Sequence, residues 1–288
     1  MRNIVDSHVH IWNPHRLRYA WLDDLPQLNR PYLPEDFSAA SAGAGLVKMI
    51  FVECGREAAQ ALDEVDWIST LTNNEPRICG IVAHASLEKG EAARADLEKL
   101  SSRPLVKGVR RLLQCEGEAD FCLRPDFVTG VKMLADFEFT FDLCIRHEQL
   151  RSVTELARRL PGVQFILDHF GKPPVRDGRI EPWATQLRDL AKLPNVSCKI
   201  SGLTTEANWE TWSAAKLRPY YEVALEAFGF DRVLFGGDWP VSTLATDYQR
   251  WVEAIHELAS EFTDLDRRKL FQTNAEKVYR LGCPAALV

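Results

Sequence analysis

Apolar positions gather into eight short runs rich in Val, Ile, Leu and Phe, none with a clean apolar–polar alternation. They span 3–12, 48–55, 77–85, 105–113, 139–146, 163–170, 195–203 and 232–239. A strand covered on both faces is apolar throughout, so this texture predicts parallel strands. Between the runs, 56–74, 88–101, 124–136, 148–160, 182–193 and 217–228 are polar with apolar residues at helical spacing. After the eighth run come two more helical stretches, 247–262 and 264–281, the second stopping at Gly282 and Pro284. Strand starts recur about every 33 residues, the size of one βα unit, and eight such units make a barrel of ~250 residues. An open doubly wound sheet would want a glycine-rich turn after its first strand. The chain has His8-Val9-His10-Ile11-Trp12 there. The expectation is an α/β chain, one (β/α)8 TIM barrel domain over 1–288, with its active site at the C-terminal ends of the strands.

Two connections exceed the usual short loop. Residues 13–36 follow the first run and are rich in Pro, Arg and aromatics, and 204–216 follow the seventh and carry Trp209 and Trp212. In a barrel both fall on the catalytic face. The first either closes over the pocket as a lid or walls it.

Composition narrows the class. With 46% hydrophobic and 26% charged residues among 288, and only 16 Gly and 15 Pro, the chain is globular. Its 35 basic against 41 acidic residues leave a net charge of −6 and no basic stripe, which argues against a nucleic-acid partner. The apolar runs fall far short of the ~20 residues a membrane helix needs, and the N-terminus reads directly into a strand with no secretory pattern. A soluble cytoplasmic protein is expected. The seven cysteines never occur as Cys-x-x-Cys, and Cys54, Cys144 and Cys198 lie inside apolar runs, where a thiol is a small hydrophobe.

The chemistry-bearing residues stand at strand ends. His8 and His10 are two apart in the first run, so a strand points both to one face. The sixth run ends Leu167-Asp168-His169-Phe170-Gly171-Lys172 and the eighth Gly236-Gly237-Asp238-Trp239-Pro240, bringing a histidine and a carboxylate to the same rim. Glu53, His84, Arg110, Arg111, Arg146, His147 and Lys172 sit at or after other strand ends, and Lys107 falls within the fourth run. Arg110 and Arg111 are neighbours in a strand, so only one of them faces inward. Acid, base and indole together suit a polyhydroxylated ring: Glu53, Arg110 and Lys172 for its hydroxyls, Trp12 and Trp239 for its C–H face.

These motifs in this order resemble the amidohydrolase superfamily, in particular its family-two branch of sugar lactonases acting on fuconate- and rhamnonate-type lactones. The stretch Leu270-Phe271-Gln272-Thr273-Asn274-Ala275-Glu276-Lys277-Val278-Tyr279 is similar to that family's closing helix. The resemblance implies hydrolysis of an aldonolactone, with Asp238 as the general base that activates water. It implies that His8, His10 and His169 polarise the carbonyl, either directly or by holding one Zn2+ or another divalent metal together with Asp238. The partner it implies is a small sugar lactone, and self-association into a homo-oligomer is compatible with it. The chain departs from the binuclear members: His147 lies one step past the fifth strand end and Lys107 is too early in the fourth, so one metal or none is expected. The alternatives within the superfamily are a zinc-dependent decarboxylase of an aromatic acid and a 2-pyrone dicarboxylate-type lactonase.

Overall fold

A computed structural model describes residues 3–282. Eight parallel strands follow one another in sequence order: β1 (Ile4–Val9), β2 (Leu46–Val52), β3 (Ile78–Ala83), β4 (Val106–Arg110), β5 (Thr140–Leu143), β6 (Phe165–Leu167), β7 (Val196–Ile200) and β8 (Val233–Phe235). β1 and β8 close the ring through a Val9–Trp239 bridge, with His10 N donating to Trp239 O at 2.7 Å and Asp238 N to His8 O at 2.8 Å. The buried Asp6 carboxylate strengthens this seam, accepting from His8 N at 2.9 Å, Gly237 N at 2.8 Å and Tyr248 Oη at 2.9 Å. Gly237 is required here, because a Cβ on it would lie 2.5 Å from Asp6 Oδ2 and from the Tyr248 ring. The fold is a (β/α)8 barrel, as the spacing of the apolar runs predicts.

The barrel interior divides into two halves. Val5, Ile50, Val52, Val82, Ile166 and Leu234 form an apolar cluster that Ala275, Tyr279 and Leu281 complete from the C-terminal segment. β4, β5 and β7 instead bring in Arg110, Asp142 and Lys199, all buried. Val5 belongs to the interior cluster and His8 to the site three positions on, which strict alternation forbids. A register irregularity between Asp6 and Val9 resets the phase.

β6 and β8 are shorter than the apolar runs suggest. His169, Phe170 and Lys172 have φ of 53°, 56° and 52°, and Asp238 has 55°. Left-handed backbone cannot continue a ladder, so the strands stop where the motifs begin. The expected helix 264–281 is broken into Asp264–Arg268, a π turn Lys269–Thr273 and Asn274–Val278. The 13–36 connection is ordered: Ala20–Asp24 forms a 3-10 turn, and Pro34–Ala40 is a helix that starts on Pro34, with Leu33 N donating to Asp36 Oδ2 at 2.8 Å. Trp21 Nε1 donates to Cys54 O at 2.8 Å and Trp12 Nε1 to Arg30 O at 3.0 Å, pinning that connection over the strand ends. After β7, Leu203–Glu206 is a short helix, and Ala214–Phe228 starts three residues earlier than its apolar spacing indicates because Ser213 caps it. Among the described residues no helix is long and apolar enough to cross a membrane.

Candidate active site

The end of β1 delivers His8 and His10, whose Nε2 atoms lie 3.2 Å apart. The turns after β6 and β8 deliver His169 and Asp238. Asp238 Oδ1 is 3.7 Å from His8 Nε2, 3.6 Å from His10 Nε2 and 3.8 Å from His169 Nε2. The left-handed backbone at His169 and Asp238 turns these side chains off the strand axis toward one point, a costly conformation held by the surrounding packing. Gly202 makes room for one of them, since a Cβ there would come within 2.6 Å of His169 Nδ1. His10 Nδ1 lies 2.8 Å from Val52 O and His169 Nδ1 2.9 Å from Ser201 Oγ.

Arg110, at the end of β4, reaches the same point. Its Nε donates to Glu53 Oε1 at 2.9 Å and Nη2 to the Glu53 carbonyl, while Nη1 is 3.4 Å from Asp168 Oδ2 and 3.3 Å from His8 Nε2. Arg111 points the other way, to Glu88 and Glu116. Beneath His8, the ammonium of Lys199 sits 2.6 Å from Asp142 Oδ2, 3.0 Å from Asp168 Oδ1 and 3.2 Å from His8 Nδ1. Tyr279 Oη donates to the same Asp142 oxygen at 2.7 Å.

Burial sets the protonation states. It pushes His169 down to about 4, and with the help of the Lys199 charge it lowers His8 well below the ordinary histidine value, so both imidazoles are neutral at pH 7. Burial opposes charge on Asp238, but the surrounding imidazoles, His169 first, outweigh it and hold the carboxyl below its ordinary range. Asp168 is likewise held low against burial, by Lys199 and His8. The thiols of Cys54 and Cys144 are pushed up by burial, Cys144 to about 11, which leaves neither a nucleophile at neutral pH.

A cavity of about 440 Å³ opens onto this cluster. His10, His169, Asp238 and Arg110 border it, Trp12, Trp21, Leu25 and Val241 give it an apolar lining, and Gln114, Lys172, Thr205 and Glu206 a polar one. Of the residues singled out from sequence, His8 lies fully buried behind His10 and does not border the cavity. Glu53 is consumed by Arg110, by Arg56 Nη1 at 2.7 Å and by Gly55 N at 2.9 Å, so it orients Arg110 and does not face a ligand. Trp239 packs on Phe37 and Tyr32, away from the cavity. His147 Nδ1 contacts Lys172 O at 3.1 Å, and Lys107 is turned outward onto Pro104 O. Sequence reasoning passed over Lys199, Asp142 and Glu206. The signal for the first two was available: each is the single charge in an otherwise uncharged strand, in Val196-Ser197-Cys198-Lys199-Ile200 and Thr140-Phe141-Asp142-Leu143.

A profile of the amidohydrolase family matches residues 5–281. The chain belongs to the amidohydrolase family. It is 31% identical to an L-fucono-1,5-lactonase of Burkholderia multivorans over 98% of this chain and 97% of that one. It is 28% identical to an L-fucono-1,5-lactonase of Burkholderia ambifaria, again over 98% and 97%. A crystal structure of a Burkholderia multivorans amidohydrolase with bound zinc superposes with a TM-score of 0.86 at 32% identity, over 97% of this chain and 99% of that one.

The donor atoms of this amidohydrolase suit one such ion. Tetrahedral zinc with bonds of about 2.0–2.1 Å sets its ligand atoms about 3.3 Å apart, close to the 3.2–3.7 Å among His8 Nε2, His10 Nε2 and Asp238 Oδ1. Val52 O accepts hydrogen bonds only, so it holds the His10 proton on Nδ1 and turns the Nε2 lone pair toward the cluster. The space between Asp142, Asp168 and His8 already holds the Lys199 ammonium.

Proposed function

We propose that this amidohydrolase opens a sugar-acid lactone, of the L-fucono-1,5-lactone kind, to the aldonic acid. The observation that carries the reading is a buried carboxylate, Asp238, within 3.8 Å of three imidazoles at a cavity of about 440 Å³. The full-length relatedness to two L-fucono-1,5-lactonases supports the choice of lactone.

In this reading Asp238 accepts a proton from water as the water oxygen bonds to the lactone carbonyl carbon. The carbonyl oxygen becomes an oxyanion, and the Arg110 N–H groups that border the cavity are the donors assigned to stabilise it, joined by the His169 imidazole when no metal is bound. Collapse breaks the ring C–O bond, and protonated Asp238 returns its proton to the leaving ring oxygen, so the carboxyl group ends as it began. A divalent ion, when bound, is held by His8, His10, His169 and Asp238 and supplies Lewis-acid polarisation of the carbonyl. Arg110 keeps its orientation through Glu53, and the neutral histidines take no charge away from Asp238. Lys172 and Glu206, 3.9 Å apart at the cavity, pair a donor with an acceptor for ring hydroxyls.

The test is proton release from a panel of aldonolactones at pH 7, with and without chelator. At least one 1,5- or 1,4-lactone of a 6-deoxy sugar acid is expected to turn over, and Asp238→Asn to lose ~10³-fold or more in kcat with an unchanged unfolding midpoint. No lactone opened above its spontaneous rate under either condition overturns the reading.

A further inference from the structure

Two side chains with a fixed positive charge border the cavity, Arg110 and Lys172, and two carboxylates border it with them, Asp238 and Glu206. Each cation already has a carboxylate of its own. Arg110 Nε donates to Glu53 Oε1 at 2.9 Å, and its Nη1 lies 3.4 Å from Asp168 Oδ2. Lys172 Nζ lies 3.9 Å from Glu206 Oε1. Arg146, also close to Glu206, donates through Nε to Gln114 O at 3.2 Å and does not border the cavity. Among the described lining residues no fixed positive charge is therefore left over for an acidic group on a bound ring.

The pair of Lys172 and Glu206 differs from that of Arg110 and Glu53 in what it leaves unspent. At 3.9 Å the two groups attract but are too far apart for a hydrogen bond. Among the described residues neither head group bonds to anything else. The ammonium thus keeps its three donors and the carboxylate its acceptor sites. They arrive from different elements, Lys172 from the left-handed turn after β6 and Glu206 from the end of the 203–206 helix after β7. Burial raises the Glu206 carboxyl, and Lys172 is the first of the charges that pull it back. A hydroxyl both donates and accepts, so neighbouring ring hydroxyls satisfy the two groups without adding charge. A carboxylate on the ring would accept from Lys172 only while standing against Glu206 and Asp238, or else lose its water on Trp12, Trp21 and Leu25. Either outcome is costly.

We propose that Glu206 determines specificity: by cancelling the Lys172 charge it reserves the site for uncharged polyhydroxylated rings and turns away rings of the same shape that carry a carboxylate. Without Glu206, the Lys172 ammonium becomes the free cation that an acidic ring needs. The proposal rests on the lactone reading of the cavity, but its readout is binding rather than turnover.

The probes are L-galactono-1,4-lactone and L-galactaro-1,4-lactone, the same ring with a CH2OH group or a carboxylate at C6. Titration calorimetry at pH 7 reads their dissociation constants in full-length chains that all carry Asp238→Asn. The rings then stay closed, and the selection measured is that of Glu206. This parent is expected to bind the neutral ring at least about tenfold more tightly than the acidic one, the size of one charge-assisted hydrogen bond. Glu206→Gln keeps an acceptor oxygen and loses the charge. It should tighten the acidic ring at least about tenfold and leave the neutral ring little changed, whereas a merely structural part for Glu206 would move both rings together. Adding Lys172→Met should abolish the gain. Equal binding of the two rings by the parent overturns the proposal, and that measurement needs no Glu206 variant to fold. So does a folded Glu206→Gln protein with an unchanged ratio between the rings, a gain that survives Lys172→Met, or binding of neither ring. A wild type that opens no lactone, with the ratio shifting as stated, sinks the lactonase reading and leaves the role of Glu206 standing.

Discussion

Replacing Glu53 by glutamine keeps the shape of the side chain and removes one buried charge from between two guanidiniums. In the wild type Glu53 Oε1 accepts from Arg110 Nε at 2.9 Å and Oε2 from Arg56 Nη1 at 2.7 Å and Gly55 N at 2.9 Å. Both arginines and the glutamate are buried, so solvent screens little of the loss. Breaking a buried ion pair costs about 3–5 kcal/mol, and because glutamine retains one acceptor oxygen the lower end, about 3 kcal/mol, is expected. Glutamine's amide also turns two N–H groups toward a guanidinium, loosening Arg110. A displacement near 1 Å at a group that stabilises the reacting oxygen costs about 10²-fold in kcat/KM. Urea unfolding at pH 7 and steady-state kinetics read the two effects. A pH series adds an internal control. Burial raises the Glu53 pKa, but Arg110 and Arg56 outweigh it and hold the carboxyl below its ordinary value of 4.5. A carboxylate with a depressed folded-state pKa contributes stability above the unfolded value and loses it as pH falls through the folded one. The gap between wild type and Glu53→Gln is therefore full at pH 7 and narrows below about pH 4.5. A destabilisation under about 1 kcal/mol at pH 7, or a gap that does not narrow in acid, refutes the account of Glu53 as the anchor of Arg110.

Gly202→Ala places a Cβ 2.6 Å from His169 Nδ1 at a φ of +66°; about 1–2 kcal/mol of backbone strain and a loss of kcat with little change in KM are expected, and an unchanged kcat counts against His169 as a reacting group. Lys172→Met removes one donor at the cavity but none of the imidazoles; KM for a responsive lactone should rise about tenfold while kcat holds, the pattern of lost ground-state binding. Tyr279→Phe deletes the 2.7 Å hydrogen bond to Asp142 and should lower stability by about 1 kcal/mol by urea unfolding; a drop above about 3 kcal/mol would mean that Asp142 depends on more than its lysine.

The barrel was legible in the chain because strand and helix periodicity is a local property: each βα unit writes its own apolar run and its own amphipathic stretch. His8, His10, His169 and Asp238 were legible for a related reason, since strand order and direction suffice to bring strand ends to one rim. Strand lengths at β6 and β8 were not, because the left-handed turns at His169 and Asp238 lie within apolar runs and end the ladder there. Neither was the reset of β1 between Asp6 and Val9, which lets Val5 and His8 both face inward.

Sequence alone thus determined which residues could carry the chemistry, and tertiary structure decided what each does there. Glu53 and Lys172 look alike as charges at strand ends, yet one is spent on Arg110 and the other borders the cavity. Lys199 reads as one more lysine until β5, β6 and β1 place Asp142, Asp168 and His8 around its ammonium. The physical reason is that periodicity depends on neighbours a few residues away, whereas the charge and tautomer of a buried group depend on partners across the barrel, as much as 191 residues distant for Lys199 and His8.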